Sequence, residues 1–229
     1  DHQDLISHHW THIQINNNQK TPIGPLQYFH INSLDLYDAT RAIVDKFNIE
    51  MVAGKVEKII KQDAYEISTE KQQISSDWIF DSRPPDFSTI KNNPYYISQS
   101  FYGLKIELKS SHFDREVYHM MDFRVNQQKS TQFIYILPYD QHTGLVELTR
   151  FGKLLVKKEE AKKILDDYIV QQYGEYSILD HEHGVIPMSS LLPKKSKKDK
   201  WVNIGTRGGS VKPSTGYAFK NMHKHAKQI

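Results

Sequence analysis

Residues 202–217, Val-Asn-Ile-Gly-Thr-Arg-Gly-Gly-Ser-Val-Lys-Pro-Ser-Thr-Gly-Tyr, constrain the fold more than any other stretch of the chain. A short apolar run ends in a glycine-rich turn, which leads through Pro213 to Ser214 and Thr215, and these read as the start of a helix. Gly208 and Gly209 let backbone come close to a planar or anionic ligand, because no Cβ stands in the way. A helix starting at 214–215 would aim free N–H groups and a positive dipole end at that ligand. The competing reading is a tight strand-to-helix connection that binds nothing, and spacing alone leaves both open.

The rest of the chain alternates between two textures. Stretches 7–15 and 27–32, rich in β-branched and aromatic residues, read as strands separated by an Asn/Gly/Pro-containing loop. Ser33 reads as an N-cap, and Leu36, Thr40, Ile43 and Phe47 share one helical face, predicting a helix over 34–47. Strands are predicted over 49–60, 64–69 and 77–80, the last ended by Asp81-Ser-Arg-Pro-Pro85, since consecutive prolines cannot continue a ladder. Runs at 99–108, 116–125, 132–139 and 145–151 are spaced like an antiparallel meander, with 140–144 as one hairpin connection. A helix is predicted over 157–173, with Gly174 at its C-cap, and 176–188 reads as extended. A lysine-rich connector at 193–200 precedes a final strand and helix. The expected class is mixed α/β (α+β). Residues 33–94 and 196–229 form an α/β unit interrupted by an antiparallel-sheet domain built from 1–32 and 95–195. Such interruptions commonly create a ligand cleft at the domain boundary.

Bulk properties remove several classes. The net charge of +3 over 229 residues is too slight to argue for nucleic-acid binding. Absent cysteine removes a disulfide framework, thiolate catalysis and cysteine-ligated metals. No apolar run approaches the length of a membrane span, and the first residues do not resemble a signal peptide.

Several segments carry candidate chemistry. Asp81 and Ser82 follow a short apolar strand, the place where ligands sit in open α/β sheets; a turn-forming Asp is the plainer reading. Period-2 alternation puts Glu147 and Thr149 on one strand face and Val146 and Leu148 on the other. On a dry face, desolvation would raise the pKa of Glu147 and keep a proton available; on a wet face it is an ordinary glutamate. Asp122 and Arg124 share a strand face, where they pair, most simply as a structural ion pair. His181 and His183 share a face, but no third metal ligand is evident, so no metal site is expected. The lysines of 194–200 suit a solvated loop or contact with anionic lipid.

Taken in order, Phe80-Asp-Ser-Arg83, Gln99-Ser-Phe-Tyr-Gly103, Met121-Asp-Phe-Arg124, Phe133-Ile-Tyr-Ile-Leu-Pro138, Val146-Glu-Leu-Thr149, Gly184-Val-Ile-Pro-Met188 and residues 205–217 resemble the FAD-dependent lycopene cyclase family, particularly its bacterial β-cyclases. The resemblance implies a dinucleotide-binding, Rossmann-like α/β domain with an inserted antiparallel sheet covering an apolar tunnel. It implies a non-redox cyclisation of the linear ψ-ends of lycopene to β-ionone rings, with reduced FAD, NAD(P)H as reductant, and an apolar carotenoid substrate. It also implies a cytoplasmic enzyme peripheral to the membrane. Glu147 matches the first acid of the family's F-L-E-E-T-type motif and becomes the expected general acid. The second acid is Leu148 here, so Glu182 and Asp122 are the carboxylates to test for the partner role. Gly205, Gly208, Gly209, Ser214, Thr215 and Gly216 match the segment that meets the flavin ring, and Asp81 and Arg83 match the strand end near it. The family's opening G-x-G-x-x-G turn is not in the chain, so an internal piece of a longer cyclase, by itself a poor flavin binder, is expected. Two rivals remain: a related FAD-dependent hydroxylase or isoprenoid reductase, and a non-catalytic binder of apolar molecules.

Overall fold

A computed structural model of the chain describes residues 2–84, 93–190 and 200–229. In chain order the elements are β1 (Ile6–Trp10), β2 (His12–Ile15), β3 (Thr21–Pro22), β4 (Tyr28–Ile31), α1 (Ser33–Lys46), β5 (Val56–Lys61), β6 (Tyr65–Thr69), β7 (Gln73–Ser76), β8 (Ile79–Asp81), β9 (Tyr96–Leu108), β10 (Val117–Asp122), β11 (Thr131–Pro138), β12 (Thr143–Gly152), α2 (Lys158–Tyr173), β13 (Tyr176–Ser189), β14 (Trp201–Asn203) and α3 (Phe219–Ala226). They fall into two compact units, one of Asp1–Ile43 with Ile97–Ile186 and one of Val44–Tyr96 with Pro187–Ile229. The lysine-rich connector at 193–200 lies outside the described residues except for Lys200.

The first unit is built on a seven-stranded sheet in the order β13-β9-β12-β11-β10-β2-β3. Only β10, β11 and β12 form the expected meander. β9 joins on the far side of β12 through ten paired residues instead of lying beside β10, and β2 runs parallel to β10. The eight residues between β9 and β10 make that crossing possible, and Phe113 within them is buried in the core. The expected strand over 7–15 is two strands broken at Thr11. β1 pairs with β4 in a separate ribbon, while β2 joins the large sheet. Trp10 at the break is fully buried, and its indole N–H donates to the Pro138 carbonyl at 2.9 Å, so the ring leaves no polar group unpaired.

Strand alternation separates the two faces of the sheet. Tyr102, Leu104, Ile106, Ile134, Ile136, Val146 and Leu148 pack against Ala161, Leu165, Tyr168 and Ile169 of α2. These four residues of α2 fall at helical spacing and are its buried ones, while its lysines and acids face outward. Glu159 and Glu160 sit in its first turn, where they complement the helix dipole. Gly174 ends it at φ 79°, a conformation that favours glycine. Arg150 of β12, nearly inaccessible, donates to Gln132 at 2.8 Å and ion-pairs with Glu160 of α2. The opposite face carries Phe101, Gly103, Phe133, Tyr135, Glu147 and Thr149, which the pairing sets opposite one another.

In the second unit β5, β6 and β7 form an antiparallel sheet, and β8 pairs in parallel with β14. The strand expected over 49–60 begins only at Val56, because its partner β6 supplies five residues and no further pairing is on offer.

Candidate functional site

Three neighbouring strands, β12, β9 and β13, bring two glutamates together. Glu147 lies opposite Gly103 in the β12–β9 register. A Cβ at Gly103 would stand 3.4 Å from Cβ of Glu147 and 3.1 Å from Cγ of Glu182, so both side chains lean over the glycine from either side. Gly184 acts similarly one step along, where a Cβ would strike the Phe101 ring at 2.6 Å. The two glycines make room for an aromatic ring and a carboxylate pair that ordinary strand residues would exclude.

Glu147 is half-buried at mid-sheet, whereas Glu182 is exposed on β13, the edge strand. Burial pushes the Glu147 carboxyl well above the usual carboxylate range, and the neighbouring Glu182 pushes the same way; the Thr149 hydroxyl, donating to Oε1 at 2.7 Å, offsets part of this. Two close carboxylates do not both ionise freely, so the pair retains a proton, and desolvation places it on the inner member. Tyr139 is close enough to feel both: burial, then the charges of Glu182 and Glu147, push its phenol up to about 12. Beside Glu182 a polar cavity of about 460 Å³ is lined by His8, His30, Lys105, Tyr139 and His181 among others; Glu147 is not on its wall.

Asp122 stands elsewhere and does another job. It ends β10, fully buried, and accepts the Arg124 backbone N–H at 3.0 Å and Nε at 2.8 Å on Oδ1. Arg124 Nη2 and the Tyr168 hydroxyl reach Oδ2, both at 2.5 Å. Burial alone would push Asp122 up, but these donors outweigh it and hold the carboxyl below its ordinary range. Asp122 is therefore an ionised structural anchor and not a proton donor, and it is absent from the Glu147–Glu182 pair. The expected pairing with Arg124 is present, although Arg124 lies beyond the strand end and the pair closes through a turn.

Asp81 repeats the device. It ends β8, accepts the Arg83 backbone N–H at 3.1 Å and Nε at 2.8 Å on Oδ1, and takes Nη2 at 2.8 Å on Oδ2. Arg207 adds a second cation 3.3 Å from Oδ2 while donating from Nε to the Arg83 carbonyl at 2.7 Å. The Arg83 hydrogen bond is the largest cause of the depressed Asp81 pKa. Buried and held by both arginines, Asp81 ties the end of β8 to the glycine turn. The sequence reading passed over Arg207, whose only signal was a cation inside Gly205-Thr-Arg-Gly-Gly209. Gly103 figures in the sequence only as the end of Gln99-Ser-Phe-Tyr-Gly103, with no role of its own, and Tyr139 only as the end of a strand.

The turn after β14 is tight. Gly205, Gly209 and Gly216 have φ of 60°, 77° and 76°, and a Cβ on Gly208 would meet the Asn203 carbonyl oxygen at 2.6 Å. The N–H groups of Gly208, Gly209 and Ser210 donate to Ile204, Thr206 and Gly205 inside the turn. The helix expected at Ser214 and Thr215 is a single turn on the Lys212 carbonyl, halted by the left-handed Gly216; α3 starts at Phe219. A side-chain-poor turn beyond the carboxyl ends of two parallel strands fits the edge of a planar ring. It does not fit a pyrophosphate, because the N–H groups of 208–210 are already used and, among the described residues, no helix opens onto the turn.

These features define a mixed α/β fold. A geranylgeranyl bacteriochlorophyll reductase-like protein from Thermoplasma acidophilum shares it with a TM-score of 0.63 at 13% identity, covering 100% of this chain and 68% of that one. A flavin-dependent brominase shares it at 0.57 and 10% identity, covering 94% and 59%. The chain belongs to the lycopene cyclase family, whose description, "Lycopene cyclase protein", matches residues 1–229. It is similar to a chloroplastic neoxanthin synthase of Solanum lycopersicum, 28% identical over 161 residues, 63% of this chain and 29% of that protein. It is also similar to a lycopene beta-cyclase of a Paracoccus species, 29% identical over 130 residues, 53% and 32% of the two chains. The chain thus spans about a third of the length of these relatives. Among the described residues no helix is long and apolar enough to cross a membrane.

Proposed function

We propose that the whole protein is a lycopene β-cyclase in which Glu147 is the general acid. The observation that carries this reading is the carboxylate pair over Gly103, with its inner member held protonated on an aromatic face. Glu147 transfers its proton to the terminal double bond of the linear ψ-end, and the neighbouring double bond attacks the resulting carbocation. Loss of a ring proton then gives the β-ionone ring, with no net oxidation or reduction. Thr149 occupies Oε1 and orients the carboxyl, leaving the other oxygen to carry the proton. Phe133 lies in the row beside Glu147, its ring 5.1 Å from Tyr135 and 5.8 Å from Phe151. Such ring faces favour a passing cation in a site from which water is excluded.

Reduced FAD, regenerated with NAD(P)H, would supply an anionic ring system that steadies positive charge in the substrate. Gly205, Gly208 and Gly209 would hold its ring edge, with Asp81, Arg83 and Arg207 bracing the turn. Ser214, Thr215 and Gly216, in the single turn on Lys212, would border the same site. An apolar carotenoid partitions into lipid, so the protein works in the cytoplasm at the membrane surface.

The test is the product's mass. Whole protein supplied with lycopene, FAD and NAD(P)H is expected to yield a cyclic isomer of unchanged mass. A product that has gained hydrogen or oxygen would overturn this reading in favour of a reductase or hydroxylase.

A further inference from the structure

The carboxylate pair is asymmetric in a way that acid catalysis alone does not require. Glu147 sits at mid-sheet between Tyr135 and Gly103, and it does not line the polar cavity. Glu182 stands on the edge strand, exposed, and forms part of the cavity wall. A Cβ on Gly103 would meet Leu145 Cδ1 at 3.0 Å, Glu182 Cγ at 3.1 Å and Glu147 Cβ at 3.4 Å, so the missing side chain leaves the room in which the two glutamates and Leu145 gather. The cavity that Glu182 lines is lined also by Lys105 of β9, by His8 and His30 of β1 and β4, by Asp180 and His181 of β13, and by Tyr139; the His181 ring itself stacks against Tyr102 at 6.1 Å. His30 accepts from or donates to the Ser7 hydroxyl at 2.6 Å, and its ring lies 5.1 Å from that of Tyr139. A cavity of this size lined by polar groups has room and partners for water.

We infer that Glu182 is a proton-exchange residue, passing protons between water in the His8–His30–Lys105 cavity and the carboxyl of Glu147 across Gly103. The step is a simple exchange: a proton moves from a cavity water to the Glu182 carboxylate, then to an ionised Glu147, which leaves Glu182 ionised again. No oxidant or reductant takes part. In this role Glu182 acts through Glu147, as a positioning residue and not as the acid itself. Lys105, on the same cavity wall, faces the charge that Glu182 carries between transfers. The inference rests on the reading of Glu147 as the acid, but it concerns how that group equilibrates with solvent.

The experiment needs no substrate, so its failure is distinct from failure to cyclise. The whole protein is transferred from H2O into D2O, and the protonated carboxyl stretch is followed by infrared difference spectroscopy; Glu147→Gln identifies the band by removing it. With Glu182→Gln the band should remain, and its shift on deuteration should slow by about tenfold or more, while Glu182→Asp should restore most of the rate. Because Glu182 is exposed, neither change removes core packing. Gly103→Ala, which wedges the pair apart, should also slow exchange. Unaltered exchange in Glu182→Gln would overturn the inference, as would the absence at neutral pH of any carboxyl band that Glu147→Gln removes.

Discussion

Glu147 and Asp122 are carboxylates of one sheet, driven in opposite directions by what surrounds them. Asp122 collects an arginine fork and a tyrosine hydroxyl and stays ionised, while Glu147 has one hydroxyl donor and a second carboxylate beside it. Their consequences for stability have opposite signs. The folded pKa of Glu147 lies above its unfolded value, so its stabilising contribution is complete below the ordinary carboxylate range. That contribution is lost as pH rises through the raised folded pKa. Glu147→Gln should therefore lose less stability than the natural chain between weakly acidic and alkaline pH, as measured by urea unfolding at several pH values. An identical pH slope in both would contradict the assignment. Arg124→Met leaves Asp122 buried without its cation and should cost about 3–5 kcal/mol in the same assay.

At the scale of elements, the helix over 157–173 was legible to within one residue, because an apolar stripe and a C-terminal glycine encode it locally. The alternation that sets Glu147 and Thr149 on one face was equally legible. The strand order was not. That β9 lies between β12 and β13 depends on pairings remote in sequence, so the meeting of Glu147 with Glu182 over Gly103 could be raised only as a candidate by resemblance. The helix expected at Ser214 is cut to a single turn because Gly216, at φ 76°, stops it. Of the two readings of Asp81, ligand-facing and turn-forming, neither includes its ion pair with Arg207, because the two residues are distant in sequence. The tight turn gives a direct check. Gly208→Ala forces a Cβ against the Asn203 carbonyl, which cannot swing aside, and should cost about 1–3 kcal/mol or more. Gly184→Ala meets only the Phe101 ring, which can rotate, and should cost less. Equal losses for the two variants in chemical denaturation would contradict this account of the turn.

For the whole molecule, the proposal of acid-initiated ring closure draws on family membership and on the paired glutamates over Gly103. The proposed reaction uses a substrate dissolved in lipid, and it is on that proposal that peripheral membrane association is predicted. Protein bound to lipid vesicles should be released by an alkaline wash, and a requirement for detergent would contradict that expectation. The central claim is that a proton held on Glu147 starts the reaction. Whole protein and its Glu147→Gln variant, brought to equal folded concentration in lycopene-producing cells, are to be compared for cyclic carotenoid. Loss of cyclised product by about a hundredfold or more is expected of the variant, the scale of a missing general acid. Full cyclisation by Glu147→Gln would contradict the account.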